Sequence, residues 1–376
     1  MTWIEPAGAP RVPGYDPAVK RLGIVRLSAI GDVVHAMPLA MALRRRYPEA
    51  RITWIVEAKA APLLERHPAV DAVLLFPRRE GARGIARFLG ELRALRLDAT
   101  VDPQGNWKSG LVGLLSGAPV RAGLHVRDCR EWGNALLTNR HGRRARGPHG
   151  VDRAFAAGGP LGVGRGPDEW GLSATAAEKE AWAERCRAAG ADPSGPIVAM
   201  HLTDPDDARS WFAEPWAETA RSLVARGFQV VLNGAAARRP LAEQIAGPGI
   251  FDLTGKDDLR GLLAQLASMA ARPGNVLLSP DSGPVHLAVA VGLPVVCLSG
   301  PQDPRRTGPR QGVSLAAWDG LPCAPCLERR CILDPPTRAC MRAITSRAAV
   351  SALLPAASAE ARPAAPPRRG PSSTGG

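Results

Sequence analysis

Residues 22–38, LGIVRLSAIGDVVHAMP, decide the fold. Leu22 to Leu27 is a mostly apolar run of the length of a buried strand. Ser28-Ala29-Ile30-Gly31 turns the chain and delivers it to Asp32. Beyond the turn, Val33, Val34, Met37, Leu39, Met41 and Leu43 form an apolar helical pattern that ends at Arg44-Arg45-Arg46. Strand, glycine-containing turn and helix is the opening unit of an open α/β sheet, which binds ligands at the carboxyl ends of its strands. Asp32 stands at such an end. From the residues alone, it either caps the helix, a common task for Asp, or takes part in chemistry.

Outward from this unit, Arg51 to Val56 and Ala72 to Phe76 read as the next strands, with a short helix from Ala60 to Arg66 between them. Ile85 to Leu95 is an amphipathic helix and Leu97 to Asp102 a fourth strand, followed by the loop Pro103-Gln104-Gly105-Asn106-Trp107-Lys108-Ser109. Alternating strands and helices imply a parallel, doubly wound sheet. A second such series begins at Pro196 and runs through Phe228–Asn233, Asn275–Ser279 and Pro294–Leu298. The expected organisation is a loose arm over 1–20, a first Rossmann-like domain over 21–170, a linker over 171–194, a second domain over 195–354 and a disordered tail over 355–376.

A chain of 376 residues exceeds what one core usually serves, in agreement with two domains. With 45% hydrophobic and 22% charged residues it is globular in composition, and no run approaches the ~18 apolar residues of a membrane span. The first twenty residues lack the basic-then-apolar order of a signal peptide, so a cytoplasmic location is expected. Of 48 basic residues only five are Lys, and the formal charge is +13. No aromatic-interleaved basic stripe marks a nucleic-acid binder; an anionic membrane surface is the expected partner for scattered Arg.

The longest chemical signature is Ser279-Pro280-Asp281-Ser282-Gly283-Pro284-Val285-His286. Gly283 allows close backbone approach at a helix start, where free N–H groups and the helix dipole favour a diphosphate. Asp281 would be held by capping N–H groups, and His286, one turn in, is within reach of a phosphate or ribose. The competing reading is an ordinary capped helix with a buried His. Near the carboxyl end, Cys323, Cys326, Cys331 and Cys340 have the C-x2-C-x4-C-x8-C spacing of a structural zinc knot. Reduced thiols fit equally well, and either way the segment is expected to be structural and away from the chemistry.

These stretches resemble the lipopolysaccharide heptosyltransferases, glycosyltransferase family nine. In that family an Asp after Ser-x-x-Gly is the proposed catalytic base, which implies that role for Asp32, with Ser28 and Gly31 beside the acceptor. The block Asp281, Ser282, Gly283, His286 resembles the family's nucleotide-diphosphate signature. Asp204 to Trp216 resembles a segment whose Lys-x-Trp contacts the donor phosphate, with Arg209-Ser210-Trp211 in its place. Asn233-Gly234 resembles the family's Gly-rich turn, although Arg238 stands where a ribose-contacting Glu is usual. Leu253-Thr254-Gly255-Lys256 matches a Leu-Thr-Gly-Lys loop, which brings Gly234, Thr254 and Gly255 into the implied donor site. In the first half, Gln104, Gly105 and Lys108 match an Asp-x-Gln-Gly-x-x-Lys-Ser loop. Together with Arg130, Lys108 suits an acidic acceptor, and Arg130-Glu131 is most like the heptosyltransferase I branch.

The resemblance implies a GT-B architecture, two Rossmann-like doubly wound domains facing each other across a cleft. It implies inverting transfer of heptose from ADP-L-glycero-D-manno-heptose to the Kdo-lipid A inner core, with no cofactor or catalytic metal required. The implied partners are a nucleotide sugar, an acidic glycolipid and the cytoplasmic face of the inner membrane, with no nucleic acid. The alternatives are a family-nine enzyme of other sugar or acceptor, a sugar-nucleotide epimerase, and a non-catalytic nucleotide-sugar-binding protein.

Overall fold

The computed structural model describes residues 19–333 and 336–358. Most of the expected arm and most of the expected tail lie outside the described residues. The chain divides into two units, Met1–Gly171 and Leu172–Gly376. In the first, β1 (Arg21–Val25), β2 (Arg51–Glu57), β3 (Ala72–Phe76), β4 (Ala99–Asp102), β5 (Val120–Gly123) and β6 (Arg140–His141) form a sheet of order β3-β2-β1-β4-β5-β6. Every neighbouring pair is parallel. In the second, β7 (Ile197–His201), β8 (Gln229–Asn233), β9 (Ile250–Asp252), β10 (Val276–Pro280), β11 (Val295–Leu298) and β12 (Val313–Leu315) form the order β12-β11-β10-β7-β8-β9, again parallel throughout.

Read from its other edge, the second sheet has the same winding as the first. The opening strand is central, the next two lie on one side and the last three on the other. This is the Rossmann order, and it creates a switch point where the winding reverses. In the first sheet that point lies between β1 and β4; in the second, between β7 and β10. Buried Val25, Leu27, Ile55, Phe88, Leu92 and Val112 pack one face of the first sheet. In the second, Trp211 and Trp216 meet edge to face with centroids 5.1 Å apart and pack with Leu298, Met341 and Leu353.

Three expectations need correction. The span 171–194 is no bare linker: it holds the helix Ala176–Ala188, opened by a capping box in which Thr175 and Glu178 hydrogen-bond each other's backbone N–H. Buried Trp182 and Cys186 and the pairing of Glu178 with Arg260 fasten it to the second unit. The boundary at 354 falls inside the helix Ser346–Ser358, which continues through Pro355 because Leu353 and Ala357 are both buried in the second core. The expected loop over 103–109 becomes helix at Trp107, the start of Trp107–Leu115, where Asn106 Oδ1 accepts from Ser109 N–H at 2.9 Å.

Candidate active site

In the first unit, the expected residues gather at the switch point. Asp32 lies in the first turn of the helix Ile30–Arg46, whose N-cap is Ala29. Asp32 is therefore not the cap itself; its Oδ2 accepts from Ala29 N–H at a long 3.3 Å. Its Oδ1 is paired at 2.9 Å with Arg26, a mostly buried side chain that also donates to Pro103 O at 2.9 Å. Arg26 thus ties the turn after β1 to the loop after β4. Gln104 makes a second tie, its buried Oε1 accepting from Leu27 N–H at 2.7 Å. Ser28 is half-buried and Gly31 buried between these ties.

Below that loop sits buried Asp102. Its carboxylate accepts from Gln104 N, Gly105 N, Ser109 Oγ and Asn134 Nδ2 at 2.6–3.0 Å. Burial pushes the Asp102 carboxyl above the usual range, and these bonds offset only part of the rise. The neighbouring loop is fastened by Glu131, whose N–H donates to Gly105 O at 3.0 Å while its Oε2 accepts from Trp107 N at 2.7 Å. Lys108, in the first turn of the helix Trp107–Leu115, and Arg130, in the neighbouring loop, are both exposed. Lys108 Nζ lies 3.7 Å from Oε1 of buried Glu57, whose Oε2 takes Arg78 at 2.9 Å. Glu57, Arg78 and Arg26 were not singled out from sequence. For Arg26 a signal existed, a lone cation at the end of an apolar strand.

In the second unit the corresponding point holds Arg209 and Asp281. Arg209 grips Asp207 with both arms, Nε to Oδ1 at 2.8 Å and Nη2 to Oδ2 at 2.7 Å, and donates through Nη1 to Asp281 O at 2.9 Å. Burial alone would raise the Asp207 carboxyl, but the bonds and charge of Arg209 outweigh it and hold it below the usual range. Asp207 in turn binds the guanidinium's protons more tightly. Of five guanidinium N–H donors, two are left among the described residues, one on each terminal nitrogen.

Asp281 corrects an expectation. Its carboxylate does not hold capping N–H groups: Oδ2 accepts from Thr307 Oγ1, and Oδ1 lies 3.7 Å from His286 Nε2. Ser282 is the N-cap of the helix Gly283–Val291 and makes no side-chain capping bond. Nearby, Gly255 N–H donates to Gly234 O at 2.8 Å, which joins the turns after β8 and β9. Gly255 has φ +71°, and a Cβ there would sit 2.6 Å from that of Ala236, so only glycine fits. Thr254 is buried, and its hydroxyl has no hydrogen-bond partner among the described residues. Arg238 is turned to Asp204 at 2.9 Å, which links these turns to the Arg209 loop.

The Cys-rich segment, expected away from the chemistry, packs against the Arg209 loop. Cys323, Cys326, Cys331 and Cys340 line one small cavity with Ala208 and Arg338. Burial pushes the Cys340 thiol up, and the three neighbouring cysteines add to the rise. Among the described residues, however, no three His, Cys, Asp or Glu side chains are grouped to hold a metal, and the thiols are free. The segment braces the Arg209 loop. Ala208 N–H donates to Arg329 O at 2.8 Å, and Arg338 Nη1 donates to Pro205 O at 2.8 Å and Ser210 O at 3.3 Å. Such contacts, over a hundred residues apart in sequence, leave no local trace.

Comparison with known proteins shows the family. Residues 85–336 match the model of glycosyltransferase family 9 (heptosyltransferase). The lipopolysaccharide core heptosyltransferase OpsX of Haemophilus influenzae is 28% identical over 303 residues, 79% of this chain and 84% of that protein. Lipopolysaccharide heptosyltransferase 1 of Pseudomonas aeruginosa is 29% identical over 334 residues, 84% and 88% of the two chains. Among solved structures, the E. coli ADP-heptose lps heptosyltransferase II superposes with a TM-score of 0.68 at 24% identity, covering 90% of this chain and 98% of that one. The chain belongs to glycosyltransferase family 9 and is a glycosyltransferase of the GT-B architecture.

Proposed function

We propose that this protein transfers heptose, with inversion, from ADP-L-glycero-D-manno-heptose to the acidic Kdo sugar of lipid A during lipopolysaccharide core assembly. The observation that carries the reading is the pairing of Arg209 with Asp281 at the switch point of the second sheet. It places two unspent guanidinium N–H groups beside an uncapped helix start, a combination suited to a diphosphate. The relatives named above are lipopolysaccharide heptosyltransferases, one of them described by ADP-heptose.

The chemistry follows from the two sites. An acceptor hydroxyl loses its proton to Asp32 Oδ2 as its oxygen bonds to the anomeric carbon. Arg26 fixes the carboxylate through Oδ1 and, among the described residues, leaves Oδ2 with only the long contact to Ala29. ADP departs with the electrons of the broken C–O bond. Its new charge meets Arg209 and the N–H groups of the helix Gly283–Val291, which is electrostatic stabilisation of a leaving group. Thr254 and Gly255 belong to the nucleotide, and Lys108 and Arg130 hold the acceptor's carboxylate or phosphate. The reading calls for no further cofactor. Among the described residues no helix is long and apolar enough to cross a membrane, and we place the enzyme on the cytoplasmic face of the inner membrane.

The test is transfer itself. Kdo-lipid A incubated with enzyme and ADP-heptose should gain one heptose by mass spectrometry, and UDP- or GDP-sugars should not substitute. Lys108→Ala and Arg130→Ala should raise the acceptor KM and leave ADP affinity alone. Turnover of the sugar nucleotide without acceptor would point to an epimerase and overturn the assignment.

A further inference from the structure

The helix Trp107–Leu115 carries Lys108 on one side and a second feature on another. Trp107, Leu111 and Leu114 follow the i, i+4, i+7 spacing of one helical face, yet that face looks outward, and the three are 43%, 44% and 39% exposed. Trp132 and Leu136 extend the same surface, 67% and 70% exposed. The rings of Trp107 and Trp132 meet edge on with centroids 6.1 Å apart. Gly133 makes this possible: a Cβ there would lie 1.8 Å from the Trp107 ring. Helix Asn134–Leu137 lies against the first helix at Gly110, where an added Cβ would come within 2.8 Å of Leu137.

This surface is held firmly. Trp107 N–H donates to Glu131 Oε2, Asn134 Nδ2 donates to buried Asp102 at 2.6 Å, and His141 Nε2 is 2.9 Å from Ala135 O. Single exposed apolar residues are ordinary, but a contiguous group with two tryptophans marks an interaction surface. The rim is basic. Residues 107–146 contain eight Lys or Arg against two acids, Asp128 and Glu131. Both acids are already engaged, Asp128 by Arg144 and Ala145 N–H and Glu131 by Trp107 N–H.

We propose that this face docks on an anionic lipid bilayer, with the Trp and Leu side chains entering the headgroup boundary and the Arg rim facing the phosphates. Tryptophan is favoured at that boundary, and basic residues around an apolar patch gain from anionic headgroups. A second copy of the chain fits less well, because a two-fold contact would set one basic rim against another. Docking would bring Lys108 and Arg130, neighbours of Trp107 and Trp132 in sequence, to the membrane surface where a lipid-anchored acceptor presents its sugars. That last step rests on the heptosyltransferase reading; the docking does not.

The experiment is vesicle flotation of the full-length protein with phosphatidylglycerol–phosphatidylethanolamine vesicles and with phosphatidylcholine alone. Wild type should float with the anionic vesicles, less so as salt is raised. Trp132→Ser combined with Leu136→Ser should cut flotation at least about tenfold, since two apolar side chains leave the interface. The same variant should lose turnover on acceptor embedded in anionic vesicles and keep it on a deacylated, water-soluble acceptor. Equal flotation of variant and wild type, or equal flotation on both lipids, would overturn the proposal. So would self-association in solution that the variant abolishes while flotation persists. Failure of every variant and wild type to use the soluble acceptor would count against the heptosyltransferase reading and leave the flotation result standing.

Discussion

Replacing Arg209 by Lys keeps the charge and discards the fork. The structure says the fork matters. Arg209 makes three N–H bonds, two to Asp207 and one to Asp281 O, at 2.7–2.9 Å. A lysine ammonium on its single stem can reproduce one of them while still facing a ligand. Hydrogen bonds involving charged groups are worth roughly 1.5–3 kcal/mol each, and this pair is mostly buried, 18% and 12% exposed. Arg209→Ala should weaken ADP binding by about 1.5–3 kcal/mol, roughly 10- to 150-fold, and Arg209→Lys should recover less than half of that loss in free energy. Arg209→Ala leaves the Asp207 carboxylate without its partner, which alone lowers the melting temperature. Adding Asp207→Asn to Arg209→Ala should restore stability without restoring affinity. Calorimetric titration with ADP beside thermal melting separates the two effects. A Lys variant that binds ADP like wild type would refute the argument from geometry, and an Ala variant that does so would remove Arg209 from the donor site.

Arg338, held at φ +47° and bonded to the carbonyls of Pro205 and Ser210, should act on donor binding through the Arg209 loop. Arg338→Met should therefore weaken ADP binding about 5- to 30-fold in the wild-type background and little in Arg209→Ala, a non-additivity that titration of the four proteins reads directly. His67 accepts from Ala69 N–H at Nδ1 and so presents Nε2–H to Trp170 O at 3.0 Å, the neutral tautomer. Burial, opposed by that backbone bond, lowers its pKa to about 4. The unfolded chain then binds the extra proton first, so stability present above pH ~6.5 is lost as pH falls toward about 4, by at most ~3 kcal/mol. His67→Gln should flatten this part of the melting-temperature profile between pH 7 and 4.5, and an unchanged slope would contradict it.

What could be read from the chain followed local physics. Leu22–Leu27, the glycine turn and the apolar pattern after Asp32 announce strand and helix because each depends on neighbours in sequence. The helix Ala176–Ala188 was passed over because only Trp182 and Cys186 are buried on it, too few to create a period, although Thr175 and Glu178 carry its capping signature. Trp107–Leu115 gives no clear period for the opposite reason: apolar residues lie on both sides, Val112 buried and Leu111 and Leu114 exposed. The site residues were found by their motifs, but their partners were not. Thr307 reaches Asp281 from 26 positions away and Arg338 reaches Pro205 from 133, distances at which only the folded sheet decides who meets whom.

The central claim is that Asp32 takes the acceptor's proton. Asn keeps the size and an oxygen acceptor for Ala29 N–H or Arg26, but cannot take up that proton. Because the ion pair with Arg26 is 38% exposed on the Asp32 side, its loss should cost no more than about 1 kcal/mol of stability. Asp32→Asn should melt within a few degrees of wild type, bind ADP nearly as well, and lose ~10²–10⁴ in turnover. The measurement is the rate of heptose transfer to Kdo-lipid A by this variant, taken beside its melting temperature and ADP affinity. A folded, ADP-binding Asp32→Asn protein with near-wild-type turnover would contradict the account.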